Sequence, residues 1–177
     1  MGDGLDGLDA WATRQRADEA IGARARAGWL RRQAEEEATW LGALGDLVGC
    51  GDVTVTMIGG RTWRGSVLGV GSGYCALELG DSHVLVRPDS ITTLTASGGR
   101  PPTGDRVPIP NELAHALAAE LYREPFVTLW FGATAEPVRG RLIAVSDEVV
   151  TLRLVEGPAA VVARLQSVSE VLLATSG

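Results

Sequence analysis

The 177-residue sequence contains no lysine, so all 16 of its basic residues are arginine. Its 22 acidic residues outnumber them and give a net charge of -6. A general nucleic-acid coat, or a partner of anionic membranes, should be basic, so this composition argues against both classes. Arginine without lysine, beside abundant alanine, glycine and valine, is best explained by codon bias in a GC-rich genome.

Cysteine and histidine are also scarce. Cys50 and Cys75 form no CxxC pair, and two thiols cannot complete a four-ligand zinc site. We expect both to be small buried apolar groups. His83 and His115 lie far apart, and the HExxH, Walker and GxSxG motifs are missing. The sequence therefore predicts no enzyme, no metal site and no cofactor.

Long apolar runs are missing as well. None approaches the ~20 residues that cross a bilayer. The first residues lack the basic and apolar regions of a secretory signal. With 45% hydrophobic and 21% charged residues, the chain does not have the composition of a disordered protein. We expect a folded cytoplasmic protein with no membrane partner.

The most informative feature that is present is an internal repeat. Residues 53–94 align with residues 127–171, and Gly65 matches Gly140 at an offset of 75. A two-residue insertion later in the second copy moves the offset to 77, which matches residues 84–87 with residues 161–164. A shared glycine, shared arginines and matched apolar periodicity over about forty residues indicate a duplicated module.

Each copy has the pattern of five short strands. In the first, Val53, Val55 and Met57 alternate with threonines, which is the signature of a half-buried strand. Further strands are predicted at 62–70, 74–79, 83–87 and 90–95, with glycine, proline and aspartate at the turns between them. Such short strands suit a small bent barrel rather than a sandwich. Gly65 is expected to mark a bend or bulge in the second strand.

A helix is predicted before each barrel. The second begins at Asn111, a good N-cap, and ends before Pro125. Its buried stripe consists of Leu113, Leu117 and Leu121. The first helix is longer, and its apolar stripe runs from Leu30 to Leu44, where Gly42 weakens the last turns.

The predicted fold is mainly β with helices (α+β), built from two tandem five-stranded SH3-like or Sm-like barrels. The expected parts are a partly helical N-terminal arm at 1–27, a helix and barrel at 28–95, a linker at 96–108, and a second helix and barrel at 109–175. A module of about 60 residues has a marginal core. Pairing of the two modules, or self-association, would compensate for this small core.

A helix followed by five strands, with a glycine in strand two and an arginine near the strand four–five corner, resembles the Sm-like fold. That family includes Sm and LSm proteins and the bacterial RNA chaperone Hfq, and the chain resembles a tandem member of bacterial type. The first copy carries the resemblance in TWRGSVLGV at 62–70 and VLVRPDSI at 84–91. The second carries it in Gly140 and in VVARLQSV at 161–168. Small SH3-like barrels share much of this pattern.

The resemblance implies self-association by barrel-edge pairing, in which strand four of one module pairs with strand five of the next. It also implies pockets for short single-stranded RNA between the strand two–three loop and the strand four–five corner. There a guanidinium or aromatic plane would stack on a base. The positions are Ser72, Tyr74 and Arg87 in the first copy, with Asp147 and Arg164 in the second.

Charge does not favour RNA. The first barrel carries 3 arginines against 3 acids and the second carries 4 against 5, without the basic excess that phosphate binding needs. Two functions therefore stay open: a non-enzymatic RNA-associated or regulatory oligomer, and a protein–protein assembly module that binds no nucleic acid. Large aromatic residues are frequent in interfaces. The interface candidates are Trp29, Trp40, Trp63 and Trp130.

Overall fold

The computed structural model describes residues 39–97, 106–132, 136–155 and 157–174, together with residues 24, 26 and 104. Of the predicted N-terminal arm, only Arg24 and Arg26 are described, and both are helical. The rest of that arm, the predicted helix before Thr39, and Trp29 lie outside the described residues. From Thr39 onward the chain makes up one compact unit.

The described residues of this unit form ten strands and two short helices, one before the first strand and one between the fifth and the sixth. The helices are α1 (Trp40–Asp46) and α2 (Leu113–Glu120), with short 3-10 turns at Pro88–Ser90, Leu121–Arg123 and Leu165–Ser167. Every strand predicted in the first copy is confirmed to within one residue at each end. The strands are β1 (Asp52–Met57), β2 (Thr62–Val70), β3 (Cys75–Glu78), β4 (Ser82–Val86), β5 (Ile91–Ala96), β6 (Phe126–Trp130), β7 (Val138–Val145), β8 (Val149–Leu154), β9 (Ala160–Arg164) and β10 (Glu170–Ala174).

The prediction of two separate closed barrels is wrong. The strands form one antiparallel open sheet in the order β5-β1-β2-β3-β4-β10-β6-β7-β8-β9. The protein is mainly β, and its helices are small. The strand order within each repeat is the same, but β4 pairs with the last strand of the other repeat instead of closing onto β5. Local periodicity predicts strands well, but it does not specify which free edges meet.

The β4–β10 junction joins the two repeats. Five residue pairs connect the strands, from Glu170 opposite Val86 to Ala174 opposite Ser82. The pairing satisfies the backbone groups that both strands would otherwise leave open. As a result, β5 and β9 become the two ends of the sheet.

Each repeat keeps a hydrophobic core of its own. Leu44 and Leu47 close the first core against β1 to β4, and Leu113 and Leu117 of α2 close the second. Leu85 of β4 belongs to the second core, although its neighbours along the strand face the first. The period of two along β4 thus lets one strand serve both cores.

Part of the predicted linker packs against α1. The backbone N–H of Gly104 donates to the Asp46 carboxylate at 2.8 Å, and the Arg106 guanidinium donates to the Gly45 carbonyl at 3.1 Å. A Cβ on Gly42 would collide with the carbonyl of Gly104. The glycine expected to weaken this helix therefore permits a close backbone contact.

The second helix begins one residue later than predicted. Its N-cap is Glu112, because Asn111 uses its side-chain amide to donate to the Tyr74 hydroxyl at 3.0 Å. Two residues of the predicted leucine stripe, Leu113 and Leu117, are confirmed as buried. A tertiary contact has here replaced the local cap that the sequence favours.

The two cysteines differ in environment. Cys75 is buried on β3, and burial raises the pKa of its thiol to about 12. The expectation that both would be buried is wrong for Cys50, which is exposed between Gly49 and Gly51. Both of these glycines have positive φ, so this segment turns at the surface before β1 begins.

Candidate functional site

The first predicted ligand pocket is filled by the chain itself. The Ser72 hydroxyl donates to a Glu112 carboxylate oxygen at 2.7 Å, and its backbone N–H donates to the Ile109 carbonyl at 3.1 Å. The Tyr74 hydroxyl accepts from Asn111. The segment that leads into α2 therefore covers the loop between β2 and β3, where the family resemblance implies a base.

The arginine of this first pocket is also engaged. Arg87 donates from Nε and Nη2 to the two carboxylate oxygens of Asp89, at 3.1 and 2.9 Å. The hydrogen bonds from Arg87 hold the pKa of Asp89 below its usual range, and the same bonding raises the pKa of Arg87. The nearby charge of Glu112 acts on the guanidinium in the same direction. A phosphate would have to compete with two carboxylates here.

Asp89 gives the fold a small acid sensitivity. The pKa of Asp89 is lowered in the folded state. Its contribution to the free energy of unfolding is therefore fully present above the ordinary pKa of 3.8 and is lost as the pH falls through the folded-state pKa. Its side chain is largely exposed, so Asp89→Asn should cost only about 0.5 kcal/mol of unfolding free energy at pH 7. Urea unfolding of both proteins at pH 7 and near pH 2 measures this difference. A cost that persists at the lower pH would contradict the assignment.

In the second repeat the structure brings the two predicted residues together. Asp147 and Arg164 line one open cavity of about 250 Å³, together with Glu148 and Gln166. Backbone pairing holds the cavity in shape, because the Leu165 N–H donates to the Glu148 carbonyl at 2.7 Å. The lining contains two acidic residues and one arginine, so the cavity does not have the charge that a phosphate ligand requires.

The described tryptophans have different roles. Trp63 and Trp130 pack edge to face, with ring centroids 5.4 Å apart and planes at 75°. They lie where the first repeat meets β10, so they pack at a contact within one chain. Trp40 is partly exposed, and its indole N–H donates to the Pro88 carbonyl at 2.8 Å.

A buried carboxylate, which the sequence analysis missed, organises the contact between the repeats. Glu170 on β10 is only 1% exposed. Arg61 Nη1 donates to Glu170 Oε1 at 2.6 Å, and the Trp63 indole N–H donates to Glu170 Oε2, also at 2.6 Å. The Arg61 guanidinium also lies over the Trp130 ring, 4.7 Å from the centroid. These four residues are named the junction cluster below.

The junction cluster also shows that the sheet curls. In the strand order, β2 and β10 are separated by β3 and β4. Three strand spacings of a flat sheet would put them about 14 Å apart. Since Trp63 on β2 reaches Glu170 on β10 by a direct hydrogen bond, the sheet bends back toward itself around the first core.

Comparing the two copies gives the one sequence signal that could have revealed this cluster. The strand registers place Glu170 where the first copy has Thr93, and Trp63 where the second copy has Val138. The residues of the cluster are therefore those that the duplication did not keep alike. Such differences indicate a contact that is made at one junction and not at the equivalent edge of the other repeat.

The described residues contain no group of three or more His, Cys, Asp or Glu side chains placed to hold a metal ion. None of the helices among them combines the length and the apolar character needed to cross a bilayer. The cytoplasmic location stays a prediction of the sequence. Comparison with family models gives no match, and comparison with curated proteins gives none either.

Proposed function

We propose that this chain is a non-enzymatic assembly module that joins copies of itself head to tail through β5 and β9. The observation that carries the proposal is the β4–β10 junction, in which the fourth strand of one repeat pairs with the fifth strand of the other. The repeat makes β9 the equivalent of β4, and β5 the equivalent of β10. One chain therefore offers both halves of a second joint of the same kind.

The register of the second joint follows from the first. Glu170 corresponds to Thr93, because each pairs with an equivalent residue of β6 or β1. Val86 corresponds to Ala163, because each pairs with an equivalent residue of β3 or β8. The expected pairs between copies are Thr93 with Ala163, Leu94 with Val162, Thr95 with Val161, and Ala96 with Ala160.

Both edges are suited to pairing. Within the described residues, β5 pairs only with β1 and β9 pairs only with β8. The residues that the expected register pairs, 93–96 and 160–163, carry neither charge nor proline, which usually protect an edge strand. Arg164, the charged residue that ends β9, lies one position beyond these pairs. Val162 is 65% exposed, whereas the equivalent Leu85 in the inner junction is buried. Pairing with a second copy would cover Val162 in the way that the inner junction covers Leu85.

The RNA-associated alternative has less support. In the first repeat, residues 109–112 cover the loop between β2 and β3, and Arg87 is paired with Asp89. In the second, Arg164 shares its cavity with two carboxylates. An assembly role requires none of these residues to bind phosphate.

A charge placed on the β9 edge should prevent assembly. Val162→Lys is expected to shift the protein to monomer, because a lysine there would be desolvated against β5 of the next copy. The control is Val155→Lys, at an equally exposed valine that lies beyond β8. Light scattering over a concentration series gives the masses.

The proposal is overturned if the unmodified protein stays monomeric at the highest concentration reached, or if both lysine variants behave alike. Short single-stranded RNA added at low salt provides the comparison with the alternative. Binding that weakens steeply with salt would favour the RNA-associated function instead.

A further inference from the structure

We propose that the junction cluster is a selectivity device, which admits β10 to the edge of β4 and rejects β5. The inference builds on the proposed head-to-tail assembly, but one of its tests does not depend on that assembly. The two fourth strands, β4 and β9, and the two fifth strands, β5 and β10, can be paired in four ways. Only one of the four is the observed inner junction.

The two fourth-strand edges are not alike. Where β10 pairs with β4, the first repeat presents Arg61 and Trp63, and both side chains donate to the Glu170 carboxylate. Beside β9 the second repeat presents Val138 in place of the tryptophan, because Leu129 faces Val138 as Val55 faces Trp63. The sequence offset of 75 puts Glu136 in the place of the arginine.

The two fifth strands differ in the complementary way. β10 brings a carboxylate at Glu170, and β5 brings the neutral Thr93 at the same register position. Pairing β4 with β10 gives each Glu170 oxygen a donor at 2.6 Å. Pairing β9 with β5 places a threonine near a valine and leaves no charge buried.

The two mismatched joints each carry a penalty. Pairing β9 with β10 would bury Glu170 beside Glu136 with neither of its donors, and an uncompensated buried charge is strongly unfavourable. Pairing β4 with β5 would deprive Arg61 and the Trp63 indole of their acceptor. A buried ion pair often adds little net stability, but it can specify which partners associate. The cluster therefore selects the two matched joints over the two mismatched ones.

The first test removes the charge difference between the repeats. Arg61→Glu with Glu170→Thr gives these two positions the residues of their equivalents, Glu136 and Thr93, and leaves Trp63 unchanged. None of the four joints is then favoured by an ion pair or penalised by the Glu170 carboxylate, so we expect a mixture of larger, concentration-dependent species by native mass spectrometry. The unmodified protein should show a single assembly series. This test holds whether or not that series extends beyond the monomer.

Loss of stability alone is controlled by Leu142→Ala, which opens a cavity in the second core away from both edges. This control should keep the mass distribution of the unmodified protein. If the double variant remains folded by circular dichroism and also keeps that distribution, the cluster has only a structural role and the inference is overturned.

The second test acts at the outer joint. Thr93→Glu alone should weaken self-association at least tenfold, because it places a carboxylate toward Glu136 of the next copy. Adding Glu136→Arg should restore it. If the unmodified protein associates and the two variants do not differ, the inference fails while the assembly proposal stands. If the unmodified protein is monomeric, the assembly proposal fails, and the Arg61→Glu/Glu170→Thr variant alone decides the inference.

Discussion

Replacing Gly65 with alanine is expected to lower the free energy of unfolding by about 3 kcal/mol. The added Cβ would collide with the carbonyl oxygen of Glu78 and lie 2.9 Å from a methyl carbon of Leu79. The carbonyl belongs to β3, and Glu78 pairs there with Ser66 of β2. Relief therefore requires β2 and β3 to move apart, which a side-chain rotation cannot achieve.

The same strand supplies a matched control in Gly69. A Cβ built on Gly69 meets no atom within 4 Å, and neither glycine has a positive φ. Gly69→Ala should therefore change the unfolding free energy by no more than about 0.5 kcal/mol, with a slight gain from the stiffer unfolded chain. Urea denaturation of both variants measures the difference. Equal losses in the two would show that crowding at Gly65 is not the cause.

Gly65 and Gly140 illustrate what the sequence predicts and what it does not. Their equivalence was predicted from the repeat, and in both copies a Cβ would meet a carbonyl of the next strand. The predicted reason was a bend or bulge at the glycine itself. The register shifts instead lie further along each strand, at 67–69 and 142–144. The glycine permits close approach of two backbones, and only the pairing of the strands shows this.

Local pattern predicted the strand bounds because alternation is decided within a few residues. The joining of the repeats could not be predicted in the same way. It depends on Arg61 and Trp63 reaching Glu170, which is 109 and 107 residues away in the chain. No period or motif links residues so distant. The sheet must be paired before these side chains become neighbours.

The candidate sites divide in the same manner. Asp147 and Arg164 were predicted together and line one cavity, since Asp147 lies just before β8 and Arg164 ends β9, the strand that pairs with β8. Ser72 and Tyr74 also share a partner, but that partner is the segment at Asn111 and Glu112. The sequence assigned this segment to the start of a helix. Its second role, covering a pocket of the other repeat, follows only from the packing of α2.

The largest expected effect at the junction cluster comes from Arg61→Met. This change leaves Glu170 almost fully buried with the Trp63 indole as its remaining partner. Breaking a buried pair from one side costs about 3 kcal/mol or more, because the other charge stays desolvated. The Arg61 side chain is 31% exposed, so we expect a loss near the lower end of that range. Urea unfolding at pH 7 measures it.

Arg64→Met is the matched control for this prediction. Arg64 lies on β2, three residues after Arg61, but its side chain is 75% exposed and its guanidinium lies 3.9 Å from the carboxylate of an exposed Asp52. Exposed pairs contribute little, so its loss should stay within about 0.5 kcal/mol. Replacing both partners, as Arg61→Met with Glu170→Leu, should recover much of the stability because no buried charge remains. Equal losses for the two arginine variants would mean that burial of Glu170 does not depend on Arg61, and the selectivity argued for β4 would then lose its physical basis.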